Sequence, residues 1–319
     1  MAGTRSLSRW RRAWLAVLAL LLAALGGVLV RLQRFPPFPP SVGTPNHLIG
    51  AYHVHSARSH DSTVPAEAWA AVAARAGLDF IVLTDHNVEP QEPQLVDGVL
   101  VLFERESSTA FGHRIDLGNA GIAAHPTDPK RPWLGSLDQM AGLEIASASA
   151  SARRLGGPAF LNLLPALLMG LVRPEAGLLQ VYDRDPRALQ RWDGEGHRPL
   201  AGLCGADAHG WLPLPLELML WRVALAQEPI TRPLGPQHGP AILDALASGR
   251  SFCLAGVLPA TSSVDIRAQD AQGQGLTAVG GRLPLDRVHA VEARVQVAPQ
   301  VAARGMRLNM FRDGEPVCT

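Results

Sequence analysis

His47-Leu-Ile-Gly-Ala-Tyr-His-Val-His55, Pro65-Ala-Glu-Ala-Trp-Ala-Ala-Val-Ala-Ala-Arg-Ala-Gly77 and Phe80-Ile-Val-Leu-Thr-Asp-His86 follow one another along the chain. They read as strand, helix and strand. The helical segment has Pro in its first turn and Gly just past its end, the asymmetry expected of a helix. Phe80 to Thr84 is a β-branched run. Outward from this unit, Val99 to Glu106, Gly121 to Ala124, Leu143 to Ala146 and Gly202 to Ala206 are further strand candidates. The stretch from Ser147 to Pro199 is mostly helical in character. Strand–helix repetition of this kind predicts parallel βα units, hence an α/β sheet or barrel.

Toward the N-terminus, Ala13 to Val30 carries no charge. Those residues as a helix reach about 27 Å, just enough for a bilayer core of roughly 30 Å. Arg5, Arg9, Arg11 and Arg12 precede the stretch, and only Arg31 and Arg34 follow it closely. The positive-inside bias keeps the N-terminus in the cytoplasm and exports the rest. A cleaved signal peptide is the alternative, with small residues at Ala24, Gly26 and Gly27. The uncleaved anchor is preferred because Val28-Leu29-Val30 continues the apolar run. The domain plan is a tip and anchor at 1–34, a proline-rich linker at 35–46, a barrel at 47–258 and a small antiparallel β unit at 259–319. A second apolar run, Phe160 to Val172, is too short to span and holds Pro165 and Gly170.

The chain has 319 residues, 47% apolar and 18% charged, with 29 basic against 28 acidic side chains and a net charge of +1. That balance excludes a disordered charged tail and gives no electrostatic basis for nucleic-acid binding beyond a nucleotide substrate. Three cysteines, Cys204, Cys253 and Cys318, are too few and too scattered to read as a disulfide framework or a zinc knuckle, and they look unpaired. Eleven histidines are the informative count.

Ionisable residues recur where strands end. His53 and His55 are two apart, so a regular strand points both to one face. Asp61 follows in the next loop. Asp85-His86, Glu106 and His125 close later strands, Glu144 lies on another, and Asp207 with His209 follows the last. Strand C-termini are where α/β barrels build active sites. Imidazole with carboxylate suits Zn, Mn or Fe, and the surplus of donors calls for two or three divalent ions doing hydrolysis.

Tyr52-His-Val-His-Ser-Ala-Arg-Ser-His-Asp-Ser62, Ala76-Gly-Leu-Asp-Phe-Ile-Val-Leu-Thr-Asp-His-Asn87, Glu106-Ser-Ser-Thr-Ala-Phe-Gly-His113, Ala124-His-Pro126 and Gly205-Ala-Asp-Ala-His209 stand in a fixed order. Together they resemble the ordered motifs of the PHP (polymerase and histidinol phosphatase) superfamily over roughly residues 48 to 255. Leu189-Gln-Arg-Trp-Asp-Gly-Glu-Gly-His197 is similar to its exported carbaryl-hydrolase-like branch. The resemblance implies a distorted (β/α)7 barrel, here preceded by one transmembrane helix and followed by a small antiparallel β unit.

It further implies metal ligands. His53 and His55 would share one ion with Asp207 and a bridging Glu106, and Glu106 with His125 would hold a second. Asp61, His86 and His209 would hold a third. Asp85 would orient a ligand histidine by accepting its other N–H. Glu104 shares a strand face with Glu106, which fits the motif spacing better. His113 is a ligand or a leaving-group contact, and His60 competes with Asp61. Ala51 and Ser147 depart from the family pattern, so Glu144 is either a site residue or part of a structural ion pair. Arg58, Lys130 and Arg131 are candidates to meet charge on a small, phosphorylated substrate. Phosphoester hydrolysis is the first expectation and ester, carbamate or amide hydrolysis the second. A non-catalytic metal-binding envelope module is the third.

Overall fold

The computed structural model describes residues 4–34, 47–154, 168–169, 186–195, 198–210, 218, 221–225, 232–255, 263–279, 284–296, 310–312 and 315–318. The proline-rich linker, most of the Phe160–Val172 run and His197 lie outside them. The chain divides into two compact units, Met1–Pro37 with Leu155–Tyr182, and Phe38–Arg154 with Asp183–Thr319. In the first, α1 (Thr4–Arg34) contains a stretch, Trp10–Gly27, long and apolar enough to cross a membrane. Its Trp14, Leu18, Leu21 and Leu25 are exposed.

The second unit holds a ten-stranded mixed sheet. β1 (Ile49–Val54), β2 (Phe80–His86) and β4 (Val99–Thr109) run parallel, with α2 (Ala66–Arg75) packed between β1 and β2 in sequence. β4 then pairs antiparallel with β3 (Gln91–Val96) along its first half and with β5 (Gly112–Leu117) along its second. β5 pairs antiparallel with β6 (Ala120–Ala123), and β7 (Gly142–Ser147) and β8 (Ala201–Gly205) continue in parallel. On the other flank β9 (Trp221–Leu225) adds antiparallel to β1, and β10 (Ser251–Ala255) adds antiparallel to β9. After β8 the chain returns to β1: Ala206 N–H donates to Tyr52 O at 2.9 Å and His55 N–H to Ala208 O at 2.8 Å. These bonds nearly close the sheet into a barrel.

The parallel expectation holds for the strands it named, but two hairpins went unread. β3 enters through an Asp97-Gly98 turn, a common hairpin sequence. β5 arises because β4 runs past Glu106, its expected end, to Thr109 and folds back. Of the helical middle, α3 (Ala148–Arg154) and α4 (Pro186–Asp193) are described. α5 (Gly239–Ala247) packs against β5, β6, β8 and β9.

Strand alternation divides the core. Tyr52, Phe80, Val82, Leu100, Leu102, Ile122 and Leu203 fill the barrel interior, joined by Ile242, Ala245 and Leu246 of α5. Ile49, Ala51, Val54, Ile81, Leu83 and Val101 face outward onto Trp69, Val72 and Ala73 of α2. Burying one such side chain is worth about 1.5–3 kcal/mol. At the C-terminal end β11 (Ser263–Gln269), β12 (Gly275–Ala278) and β13 (Ala290–Gln296) form an antiparallel sheet, and β14 (Met310–Arg312) pairs with β15 (Glu315–Cys318).

The cysteine expectation is overturned. Cys204 and Cys253 are bonded, at a sequence separation of 49. Scattered spacing hid the pair because the two strands that carry them meet only when the sheet curls round.

Candidate metal centre

Simple alternation does not bring His53 inward. With Tyr52 facing the interior, the next residue belongs outside. Instead β1 has an irregularity between Tyr52 and Val54, and His53 adopts φ +65°. The extra residue turns the His53 side chain inward, Val54 takes the outward place beside α2, and His55 again points inward. His125 (φ +27°) and Asp207 (φ +46°) also sit at positive φ. Non-glycine residues in this region cost of order 1–3 kcal/mol each, and such outliers gather at functional sites. On β2 and β4 plain alternation suffices. His86 follows Phe80, Val82 and Thr84 on the interior face, and Glu106 follows Leu100, Leu102 and Glu104.

Five imidazoles form a closed circuit of neighbouring rings, and a sixth stacks on one of them. The centroid separations are His53–His55 5.1 Å, His55–His86 4.7 Å, His86–His113 4.9 Å, His113–His125 5.2 Å and His125–His53 5.9 Å, with His209 stacked on His55 at 4.4 Å. Carboxylates fill the centre. Glu106 Oε2 lies 3.3 Å from Nε2 of both His53 and His55, and Asp207 Oδ1 lies 3.4 Å from the same two atoms. Glu106 Oε1 lies 2.8 Å from His113 Nδ1 and 3.2 Å from His125 Nε2. Asp61 Oδ2 is 3.1 Å from Nε2 of both His86 and His209.

Two donors on one tetrahedral ion at about 2.0–2.1 Å stand about 3.3 Å apart. The donor atoms fall into three groups compatible with an ion: His53, His55 and Asp207; His86, Glu106 and His113; and His55, Asp61, His86 and His209. The fit is tested by the buried nitrogens. Both ring nitrogens of His55 and Nδ1 of His86 are buried without a hydrogen bond among the described residues. Stranded imidazole nitrogens facing ionised carboxylates are expected of ligands and costly otherwise.

The far nitrogens are tied down as ligand histidines require. His53 Nδ1 donates to Glu144 Oε1 at 2.6 Å, His125 Nδ1 to Arg131 O at 3.1 Å, and His209 Nδ1 to Asp207 O at 2.8 Å. Glu144 also accepts the His125 backbone N–H at 2.6 Å. Glu144 thus does what was expected of Asp85. Asp85 instead accepts Ser56 N–H and Oγ–H at 2.6 and 2.8 Å, fixing the turn after His55, because alternation on β2 points it away from His86.

Electrostatics follow from this crowding. Burial pulls the His55 imidazole down, but Asp207 and Glu106 outweigh it and hold it at about 9. Burial pushes Glu106 and Asp207 up, yet the surrounding histidines hold both well below the usual carboxylate range. Asp61 is held low against its partial burial by His209, His86 and Ser59. Glu104 is raised by burial and accepts the Gly118 N–H at 2.8 Å, which leaves Glu106 as the carboxylate of the centre.

Of the remaining candidates, His60 is exposed, its ring tilted against that of His86 at 5.1 Å. Arg58 is turned away: it donates to Glu89 O at 2.7 Å and lies over Phe103. Arg131 is exposed, and its guanidinium stands 3.4 Å from His113 Nε2 at the rim of the cluster. Its loop is folded by Asp128, a residue missed in the sequence, which accepts the Lys130 and Arg131 N–H groups and pairs with Arg153 at 2.8 Å. Ser59 was also missed; it donates to Asp61 at 2.6 Å and accepts the His86 N–H.

No family model matches the chain, and no curated protein matches it. Among the solved structures similar to it are two with a TM-score of 0.38 each. One is the crystal structure of PsfC from Pseudomonas syringae, at 15% identity over 66% of this chain and 92% of that one. The other is a two-domain protein from Bacteroides vulgatus, at 16% identity over 69% of this chain and 68% of that one. The second is described as containing a predicted PHP-like metal-dependent phosphoesterase. Neither description mentions the carbaryl-hydrolase-like branch.

Proposed function

We propose that the chain is a metal-dependent hydrolase of the PHP type, anchored in a membrane by α1, whose substrate is a small phosphoester. The observation that carries this is the convergence of six buried or nearly buried imidazoles on three ionised carboxylates at ligand-to-ligand spacing. His53, His55, Asp207 and Glu106 would hold one divalent ion. Glu106, His125, His113 and His86 surround a second position, and Asp61, His209, His86 and His55 a third. Zn, Mn or Fe suits this mixed donor set.

Bound ions supply Lewis acidity and bring the pKa of water toward neutrality. The chain's own residues do the rest. Glu144 fixes the rotation of His53 and the backbone of His125. Ser59 aims Asp61. Asp128 and Arg153 fold the loop so that the Arg131 guanidinium stands beside His113, where it meets an anionic group. Arg131 favours a phosphoester over a neutral ester or carbamate. The basic N-terminal tip would remain in the cytoplasm with the catalytic unit outside it, and a disulfide on β8 and β10 suits an oxidising compartment.

The test is His55→Ala against a panel of phosphate monoesters, diesters and carboxylesters. The expected result is phosphoester turnover in the parent protein and none in the variant, with less metal bound. Turnover equal to that of the parent would sink the assignment.

A further inference from the structure

The sheet's two ends are β8 and β10, and no strand pairing joins them among the described residues. Cys204 lies on β8 and Cys253 on β10, so one covalent bond spans the seam that the hydrogen-bond ladder leaves open. Three residues beyond Cys204 comes Asp207, held in the left-handed region at φ +46°. Past the seam the chain is stitched to β1 by Ala206 N–H to Tyr52 O at 2.9 Å, Ala208 N–H to His53 O at 3.3 Å and the Val54–Ala208 bridge. The same segment carries Gly205, against which the Glu144 carboxylate is packed, and His209.

We propose that the Cys204–Cys253 disulfide is a positioning device for the metal centre. It pins the end of β8 so that Asp207 and His209 meet His53, His55 and Asp61, and metal retention therefore depends on the redox state of the bond. This rests on the metal reading above. Among the described residues β8 is paired on one side, by β7, so without the bond its outer edge has no covalent or strand-pairing link to β10 and the end of the strand rests on the stitches to β1. The ligands most exposed to that slack are Asp207 and His209. Glu106 and His113, on strands hydrogen-bonded on both flanks, and His125, just past β6 with its N–H on Glu144, are insulated from it. Reduction by a dithiol is balanced simply: two electrons and two protons pass to the cystine, leaving two cysteine thiols and a cyclic disulfide of the reductant.

The experiment uses the full chain in detergent, loaded with Zn. A thiol count in denaturant is expected to give one free thiol, Cys318, before reduction and three after it. Zn release to an excess of chelator is then followed with and without dithiothreitol, alongside circular dichroism. Reduction is expected to speed release of part of the Zn at least tenfold, ahead of any loss of dichroism. The Cys204→Ala/Cys253→Ala variant should release that fraction equally fast whether or not reductant is present. In Asp207→Asn, where the pinned ligand is already lost, reduction should add little. Release unchanged by reduction, release that only follows unfolding, or three free thiols at the outset would each overturn the proposal. A parent protein that binds no Zn in either redox state would instead overturn the metal reading, and this inference with it.

Discussion

Gly205→Ala is the most discriminating single substitution that the geometry offers. A Cβ at this position would lie 2.1 Å from Glu144 Oε1 and 2.8 Å from its Cδ. The carboxylate must retreat by about 1 Å or more to restore ordinary contact, and it has nowhere to go. It is fully buried and bonded at 2.6 Å to both His53 Nδ1 and the His125 N–H. Hydrogen bonds to a charged group contribute about 1.5–3 kcal/mol each, so losing both removes about 3–6 kcal/mol from the metal-free fold. Loss of the partner that orients a ligand imidazole costs about 10–100-fold in metal affinity. The assay is a competition titration with a chromogenic chelator, paired with denaturant unfolding. Gly202→Ala, on the same strand, is the control: the nearest atoms to its Cβ are side-chain carbons of Ile145 and Trp192 at 3.2–3.4 Å, with no carboxylate among them. It should leave metal affinity unchanged. Equal metal affinity in both variants would refute the claim that Glu144 sets the His53 imidazole.

The metal-free protein should lose stability as pH rises from about 6.5 through 9, because the His55 imidazole is raised to about 9 when folded. A raised basic group stabilises fully below its unfolded value and stops doing so above its folded one; the difference is about 3 kcal/mol, and it should vanish in the metal-loaded protein, as denaturant midpoints at pH 6 and 9.5 would show. Arg131→Ala should raise KM for phosphoesters about tenfold or more while leaving neutral esters unchanged, and an equal effect on both would remove its anion-binding role. Reducing the Cys204–Cys253 bond opens a loop of about 50 residues, worth about 4 kcal/mol in the chain-entropy model, so the denaturation midpoint should fall measurably on adding reductant.

Much of this was legible in the chain itself. The strand–helix–strand reading of residues 47–86 rests on local periodicity, which the structure keeps to within a residue or two. The inward set of His86 and Glu106 also follows from alternation. His53 does not, since its inward turn depends on a backbone irregularity that no side-chain pattern records. Nor could local pattern pair Cys204 with Cys253, or exchange the parts expected of Asp85 and Glu144. Each of those depends on strands that are distant in sequence becoming neighbours when the sheet curls. Asp128 and Ser59 act on loops, where no strand periodicity marks a functional position.

The central claim is that the imidazole–carboxylate cluster holds catalytic metal. Elemental analysis of the purified full chain, with phosphoester turnover measured before chelation, after it and after metal is restored, tests this most directly. The account predicts two or three equivalents of divalent transition metal, turnover lost on chelation, and turnover recovered on reloading. A metal-free protein that hydrolyses at the same rate would contradict it.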